Sequence, residues 1–250
     1  MPRYFMLLAY RGAPYHGWQS QPGVTTVQSV MEDALTTILR VPVKITGAGR
    51  TDAGVNARRM VAHFDVAEPI ADTSLLVRSL NSLVGRDIAV YDICRVADDA
   101  HARFDATSRT YHYYAVSRKS PFFYPLSWQA PADLDYDAMN RAAQLLLTTT
   151  DFTSFSKLHT DVKTNNCRIT RAEWVDIGHD ARVFVITADR FLRNMVRAVV
   201  GTLVDVGRGK LSVEDFSRII DKRDRCSAGT SMPAQALYLW DVTYPYYRPE

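Results

Sequence analysis

Cysteine is scarce in this 250-residue chain: only Cys94, Cys167 and Cys226. They lie far apart, their number is odd, and no C-x-x-C occurs. That spacing excludes a disulfide framework and a zinc ribbon, and it fits a reducing cytoplasm. The six histidines include no H-E-x-x-H or comparable ligand spacing, so a metal site has little support. Long apolar runs are missing as well. The stretch FMLLAY near the start is too short for a signal peptide or a membrane span, so no membrane partner is expected. No segment is of low complexity, and none is rich enough in Pro, Gly or Ser to separate independent domains. Net charge is small too, at +3, and by itself says little about nucleic acid.

What is present is the balance of an ordinary soluble globular protein, with 47% hydrophobic and 23% charged residues. The length suffices for one large domain or two smaller ones. Basic charge is distributed unevenly. From Arg182 to Lys210, six basic residues (Arg182, Arg190, Arg193, Arg197, Arg208, Lys210) face two acidic ones, Asp189 and Asp205. Such local density is the footprint sought in a nucleic-acid binder.

Hydrophobic periodicity gives the order of elements. RYFMLLAY reads as a buried strand broken by Gly12, Pro14 and Gly17. Thr25 with Gln28 resembles a capping box, followed by a helix through Leu39. Strands are expected near 43–47 and 59–66, a helix near 72–83 and a strand near 88–96. The order then repeats: a strand at 109–117, a helix at 135–148, strands near 168–177 and 182–188, a helix at 190–206, a short helix at 212–221 and a last strand at 236–243. Each half, 1–104 and 105–250, therefore reads β-α-β-β-α-β, the split βαβ arrangement. The expectation is an α+β fold of two RRM-like halves, mostly antiparallel sheets with helices on one face and a catalytic cleft between the halves. RNA-recognition modules use this topology, but the topology alone does not specify function.

Three segments can carry chemistry. The first is GAGRTDAGVNA, Gly47 to Ala57, in which small residues surround Arg50 and Asp52. It is no P-loop, because Val55-Asn56 follows Gly54 where Lys-Ser/Thr is required. It is no dinucleotide fingerprint either, since Asp52 holds the third glycine's place. A tight turn with a solvated Arg-Asp pair remains the plain alternative. The second segment is ARFDATSRTYHYYAV, where strand alternation sends Tyr111 and Tyr113 to one face and His112 and Tyr114 to the other. A tyrosine here either belongs to the core or stacks on a base from a cleft rim, at roughly 1–3 kcal/mol. The third is DRFLRNMVRAVVGTLVDVGRGK. On a helical wheel Leu192, Met195, Val196, Val199 and Leu203 share one face, while Arg190, Arg193 and Arg197 group on the other. That arginine face is either simply solvated or, beside Val200 and Val204, in need of a carboxylate or phosphate partner.

Together with the opening YRGAPYHGWQSQPGVTTVQSVMEDAL and the closing PAQALYLWDVTY, these segments resemble the signature blocks of the tRNA pseudouridine synthases that modify the anticodon arm at positions 38 to 40. The resemblance runs through nearly the whole chain, and G-R-T-D-A-G-V is its most specific block. It implies that Asp52 is the catalytic carboxylate, acting as nucleophile or base. It implies further that Arg197 forms an ion pair with Asp52, that Tyr111 stands beside the target uracil and that Arg50 helps hold the RNA. Arg190 and Arg193 are then candidates for the RNA backbone. The resemblance also implies a homodimer with tRNA bridging both subunits, and neither metal nor organic cofactor. One position departs from the pattern: Asn56 stands where the family usually has His. The rival readings are a non-catalytic RNA-binding protein with RRM-like halves, which lacks the expected RNP1 run, and a glycoside hydrolase. The latter needs a second paired acid, and the nearest, Asp65, sits at a strand end.

Overall fold

The computed structural model describes residues 1–157 and 163–247. The described residues form nine strands and five helices, an α+β fold, in two compact units. The first comprises Met1–Thr107 with the chain from Leu239 onward, and the second Ser108–Tyr238.

In the first unit, β1 (Arg3–Tyr10) is flanked by β3 (Asn56–Asp65) and β4 (Ile88–Val96), both antiparallel to it. The short β2 (Ile45–Gly47) pairs with β3, again antiparallel. The order β4-β1-β3-β2 is that of a split βαβ unit. The closing strand β9 (Leu237–Thr243) also borders β3, on the flank away from β1, and there Arg58 stacks on the Trp240 ring at 4.3 Å. Two helices complete the unit, α1 (Val27–Leu39) and α2 (Thr73–Leu83). Val27, Met31 and Leu35 of α1 recur at helical spacing and are fully buried. Burying each such side chain stabilises the fold by about 1.5–3 kcal/mol.

The capping box of α1 differs from the sequence reading by one residue. Thr26, not Thr25, is the cap, and it exchanges hydrogen bonds with Ser29. Val27, the first residue of the helix, is fully buried. Gln28 instead reaches the Ile45 carbonyl at 3.1 Å and fastens α1 to β2.

In the second unit, β5 (Ser108–Val116) pairs antiparallel with β8 (Ala181–Ala188), which pairs antiparallel with β7 (Ile169–Gly178). A two-residue β6 (Trp128–Gln129), not expected from sequence, runs parallel to β5. Register aligns Tyr113 with Phe184 and Phe184 with Trp174, so the three share one face. Trp174 meets Tyr136 of α3 (Tyr136–Gln144) edge-on at 5.3 Å, which identifies that face as helix-covered. The unit also holds α4 (Met195–Gly207) and α5 (Val213–Lys222).

Helix α4 starts five residues later than its periodicity suggests. Asp189 is the reason: its carboxylate accepts the amides of Arg168 and Arg190 at 2.8 and 2.7 Å, offering the backbone an alternative to helix. Asn194 then takes a left-handed conformation, φ 63°, which Asn tolerates better than most residues. From Met195 on, nearly every side is buried, Val200 and Val204 included. The arginine face of the wheel is therefore not a face of this helix. Only Arg197 lies on α4, while Arg190 and Arg193 belong to the turn before it.

Candidate active site

Asp52 sits half-buried in the loop between β2 and β3. The loop is held chiefly through its backbone. The Trp18 amide donates to the Thr51 carbonyl at 3.1 Å, and the Val55 amide to the Asp52 carbonyl at 3.1 Å. Tyr10 and Thr51 join their hydroxyls at 2.8 Å beneath it. On its outer side runs the segment before α1, where Gly17 has φ +87° and lies so close that a methyl group there would sit 2.6 Å from the Thr51 carbonyl oxygen. Only glycine meets both demands. Asn56, the departure noted in the sequence, is buried, and its side-chain oxygen accepts the Gly12 amide at 2.8 Å. Its amide therefore ties the opening segment to the loop.

Arg50, two residues before Asp52, is exposed, and its Nε donates to Gln19 at 3.0 Å. A shallow groove of about 190 Å³ opens beside it, lined also by Trp18, Gln28 and Arg103. Two arginines and two amide side chains suit phosphates and base edges.

In the second unit, Tyr111 is half-buried on β5, and Phe191 meets its ring edge-on at 5.1 Å. Such a contact fixes the ring plane. Arg197 is half-buried in the first turn of α4. Its Nε donates to the Met232 carbonyl at 2.5 Å, and its own carbonyl accepts the Met232 amide at 3.1 Å. A guanidinium held by Nε keeps its plane, and its two terminal nitrogens point in a set direction.

The segment that delivers Met232 is seated by close packing. A methyl group on Gly201 would lie 1.8 Å from the Thr230 carbonyl oxygen. The Gly229 amide donates to Thr202 at 2.9 Å, and Asn194 and Arg225 both donate to the Ser231 hydroxyl. Arg193 is exposed, and its carbonyl accepts the Lys157 amide at 3.2 Å.

The sequence-predicted residues thus divide between the units: Arg50 and Asp52 in the first, Tyr111, Arg190, Arg193 and Arg197 in the second. Sequence reasoning missed the supports. Gly12 and Gly17 read only as strand breakers, and Gly201 and Gly229 drew no attention, although a glycine inside an apolar helix signals close backbone approach. Among the described residues, no three His, Cys, Asp or Glu side chains are grouped as a metal would require. No helix is long and apolar enough to cross a membrane.

The α+β fold thus carries a loop carboxylate, a half-buried tyrosine and exposed arginines. Comparison with known proteins makes the assignment. A model of the tRNA pseudouridine synthase family matches residues 6–105 and 142–245. The tRNA pseudouridine synthase A of Parabacteroides distasonis is 58% identical over 245 residues, covering 98% of this chain and 97% of that protein. The protein of the same name from Porphyromonas gingivalis is 56% identical over 98% of both chains, and that from Exiguobacterium sibiricum 38% identical over 98% of both. The chain belongs to the tRNA pseudouridine synthase family, and it is an isomerase that acts on tRNA.

Proposed function

We propose that the enzyme converts uridine to pseudouridine at positions 38, 39 and 40 of the tRNA anticodon arm, with Asp52 as its catalytic carboxylate. The observation that carries this reading is the intact G-R-T-D-A-G-V block, Gly49 to Val55, on a loop whose backbone is clamped from below and outside. The reaction breaks the N1–C1′ bond and forms a C5–C1′ bond. C5 gives up a proton and N1 gains one, so nothing is oxidised and no group is lost. One ionised carboxylate suffices, either by attacking C1′ or by removing the C2′ proton to give a glycal.

Around that carboxylate the other groups take their roles. Arg197 pairs with Asp52, its fork already oriented through Nε. Tyr111 stacks on the target uracil, which must leave its helical stem at a cost of a few kcal/mol. Arg50 holds the RNA near the extruded nucleotide, and Arg190 and Arg193 contact phosphates. Two copies of the chain act together on one tRNA in the cytoplasm, and no metal or organic cofactor takes part. Mapping pseudouridine in tRNA from cells lacking the protein tests the substrate assignment. Loss confined to positions 38–40 is the expected result, and unchanged modification there would refute it.

A further inference from the structure

Tyr113 is wholly buried, yet its hydroxyl has no hydrogen-bond partner among the described residues. Leaving a buried hydroxyl unpaired is costly, and phenylalanine would place the same ring beside Phe184 without that cost. No protein group among the described residues accounts for the oxygen. Its surroundings point to another use. Strand alternation puts Tyr113 on the same face as Tyr111, two residues away. The charge of Arg197 acts on the phenol, opposing the burial that pushes its ionisation well above the ordinary tyrosine range. The group is thus a neutral hydroxyl near a guanidinium whose Nε is already taken by the Met232 carbonyl.

We propose that Tyr113 is a positioning residue for Arg197, its hydroxyl oxygen accepting a guanidinium N–H when tRNA occupies the site. The inference rests on the reading in which Arg197 serves the reaction. An interaction absent from the resting enzyme and formed with substrate contributes to turnover rather than to folding, which is where such a contact is most effective. Nε held by Met232 and a terminal nitrogen held by Tyr113 fix the fork at two points.

The test compares Tyr113→Phe, Arg197→Lys and the double variant, using full-length tRNA in single-turnover assays alongside tRNA affinity and thermal unfolding. Tyr113→Phe is expected to unfold at the wild-type temperature or higher and to bind tRNA within about threefold of wild type. Its single-turnover rate should fall at least tenfold. On the Arg197→Lys background the same change should alter the rate by less than about twofold, because the partner it positions is already lost. A wild-type rate for Tyr113→Phe overturns the inference. So does a lowered unfolding temperature with a rate loss that multiplies that of Arg197→Lys, since the hydroxyl then has a structural partner such as a buried water. If Tyr113→Phe is silent while Arg197→Lys is slow, the role of Arg197 stands and only this inference fails. If Arg197→Lys itself turns over at the wild-type rate, both readings fall together.

Discussion

The two units hold their candidate functional side chains by different means. In the first, Asp52 rides on a loop whose backbone is clamped, by the Trp18 amide, by the Tyr10–Thr51 hydroxyl pair and by the close passage of Gly17. The side chain is placed because the main chain has nowhere else to go. In the second, the main chain of α4 is ordinary helix and the side chain itself is gripped, the Arg197 Nε by the Met232 carbonyl. Rigid backbone suits a short side chain with few rotamers, such as Asp. Arg has four side-chain torsions, so its placement needs a contact far out along the chain. A variant that preserves the backbone but alters the chemistry should therefore be most damaging in the first unit. In the second, changes remote from the guanidinium should also be felt.

The largest effect is expected at Asp52. Asp52→Asn keeps size and much of the hydrogen bonding, and the clamped backbone should not notice it. On the proposed mechanism it removes the nucleophile or base. Single-turnover rate should drop by several orders of magnitude, while tRNA affinity changes by less than about tenfold, or ~1.4 kcal/mol. Residual activity within tenfold of wild type would remove Asp52 from the mechanism and leave the loop as a turn.

Next in size is a change in the second unit well away from the guanidinium. Gly201→Ala adds a methyl in mid-helix, which by propensity alone should stabilise the protein by about 1 kcal/mol. The methyl would meet the Thr230 carbonyl at 1.8 Å, a backbone atom that can yield only if the segment carrying Met232 moves. Overpacking of this kind costs roughly 1–3 kcal/mol or more, so the clash should win. Calorimetry should show a melting temperature lower by a few degrees. The rate should fall further than the loss of folded protein explains, because Arg197 loses its Nε anchor. An unchanged rate per folded molecule would show that this anchor does not matter, and the contrast between the units would weaken.

The same contrast explains what was legible in the sequence. Val27, Met31 and Leu35 at helical spacing, and the alternation through Tyr111 and Tyr113, announce their elements because a helix or strand with one buried face must repeat. The α+β order follows from such patterns, and the Asp52 loop stands out because so many small residues are rare in a folded chain. Contacts made by backbone atoms leave no such trace. Nothing in the letters shows that Trp18 donates to Thr51, that Met232 presents its carbonyl to Arg197, or that residues 239–243 pack with the first unit. The early start read for α4 failed for a related reason. Asp189 captures two amides with one carboxylate, and a helical wheel, which sees only side-chain polarity, cannot register that competition.

A smaller effect should set the first unit's interior apart through pH. His63 on β3 is buried, and its Nδ1 accepts the Ala102 amide at 3.1 Å, an arrangement available only to the uncharged ring. Burial, with help from Arg3 and the facing His101, pushes it from near 6.5 down to about 4, against the pull of Asp65 and Asp105. The unfolded chain thus binds a proton that the folded one refuses. The stabilisation is complete above about pH 6.5 and is lost progressively as pH falls toward 4. Its upper limit is about 3 kcal/mol. Urea midpoints measured between pH 7 and pH 4.5 should fall, and His63→Gln should flatten part of that slope. An equal slope in the variant would assign the acid sensitivity elsewhere.

The smallest change should come from the surface of the second unit, where Arg193 is exposed on the turn before α4. The sequence alone groups it with Arg197 on one basic face, but the fold separates them. Arg197 is anchored through Nε, whereas Arg193 is fixed through its carbonyl, bonded to the Lys157 amide. A phosphate contact from such a position acts through counterion release and touches no reacting atom. Arg193→Ala should therefore shallow the plot of log affinity against log salt by about 0.7–0.9, the value for one lost phosphate contact. Affinity should weaken most at low salt, where screening is least. The single-turnover rate at saturating tRNA should stay within about twofold of wild type. The informative alternative is a slope that does not move while the rate falls. Arg193 would then serve the chemistry itself, and the division between a gripped arginine on the helix and a solvent-facing one on the turn would be wrong.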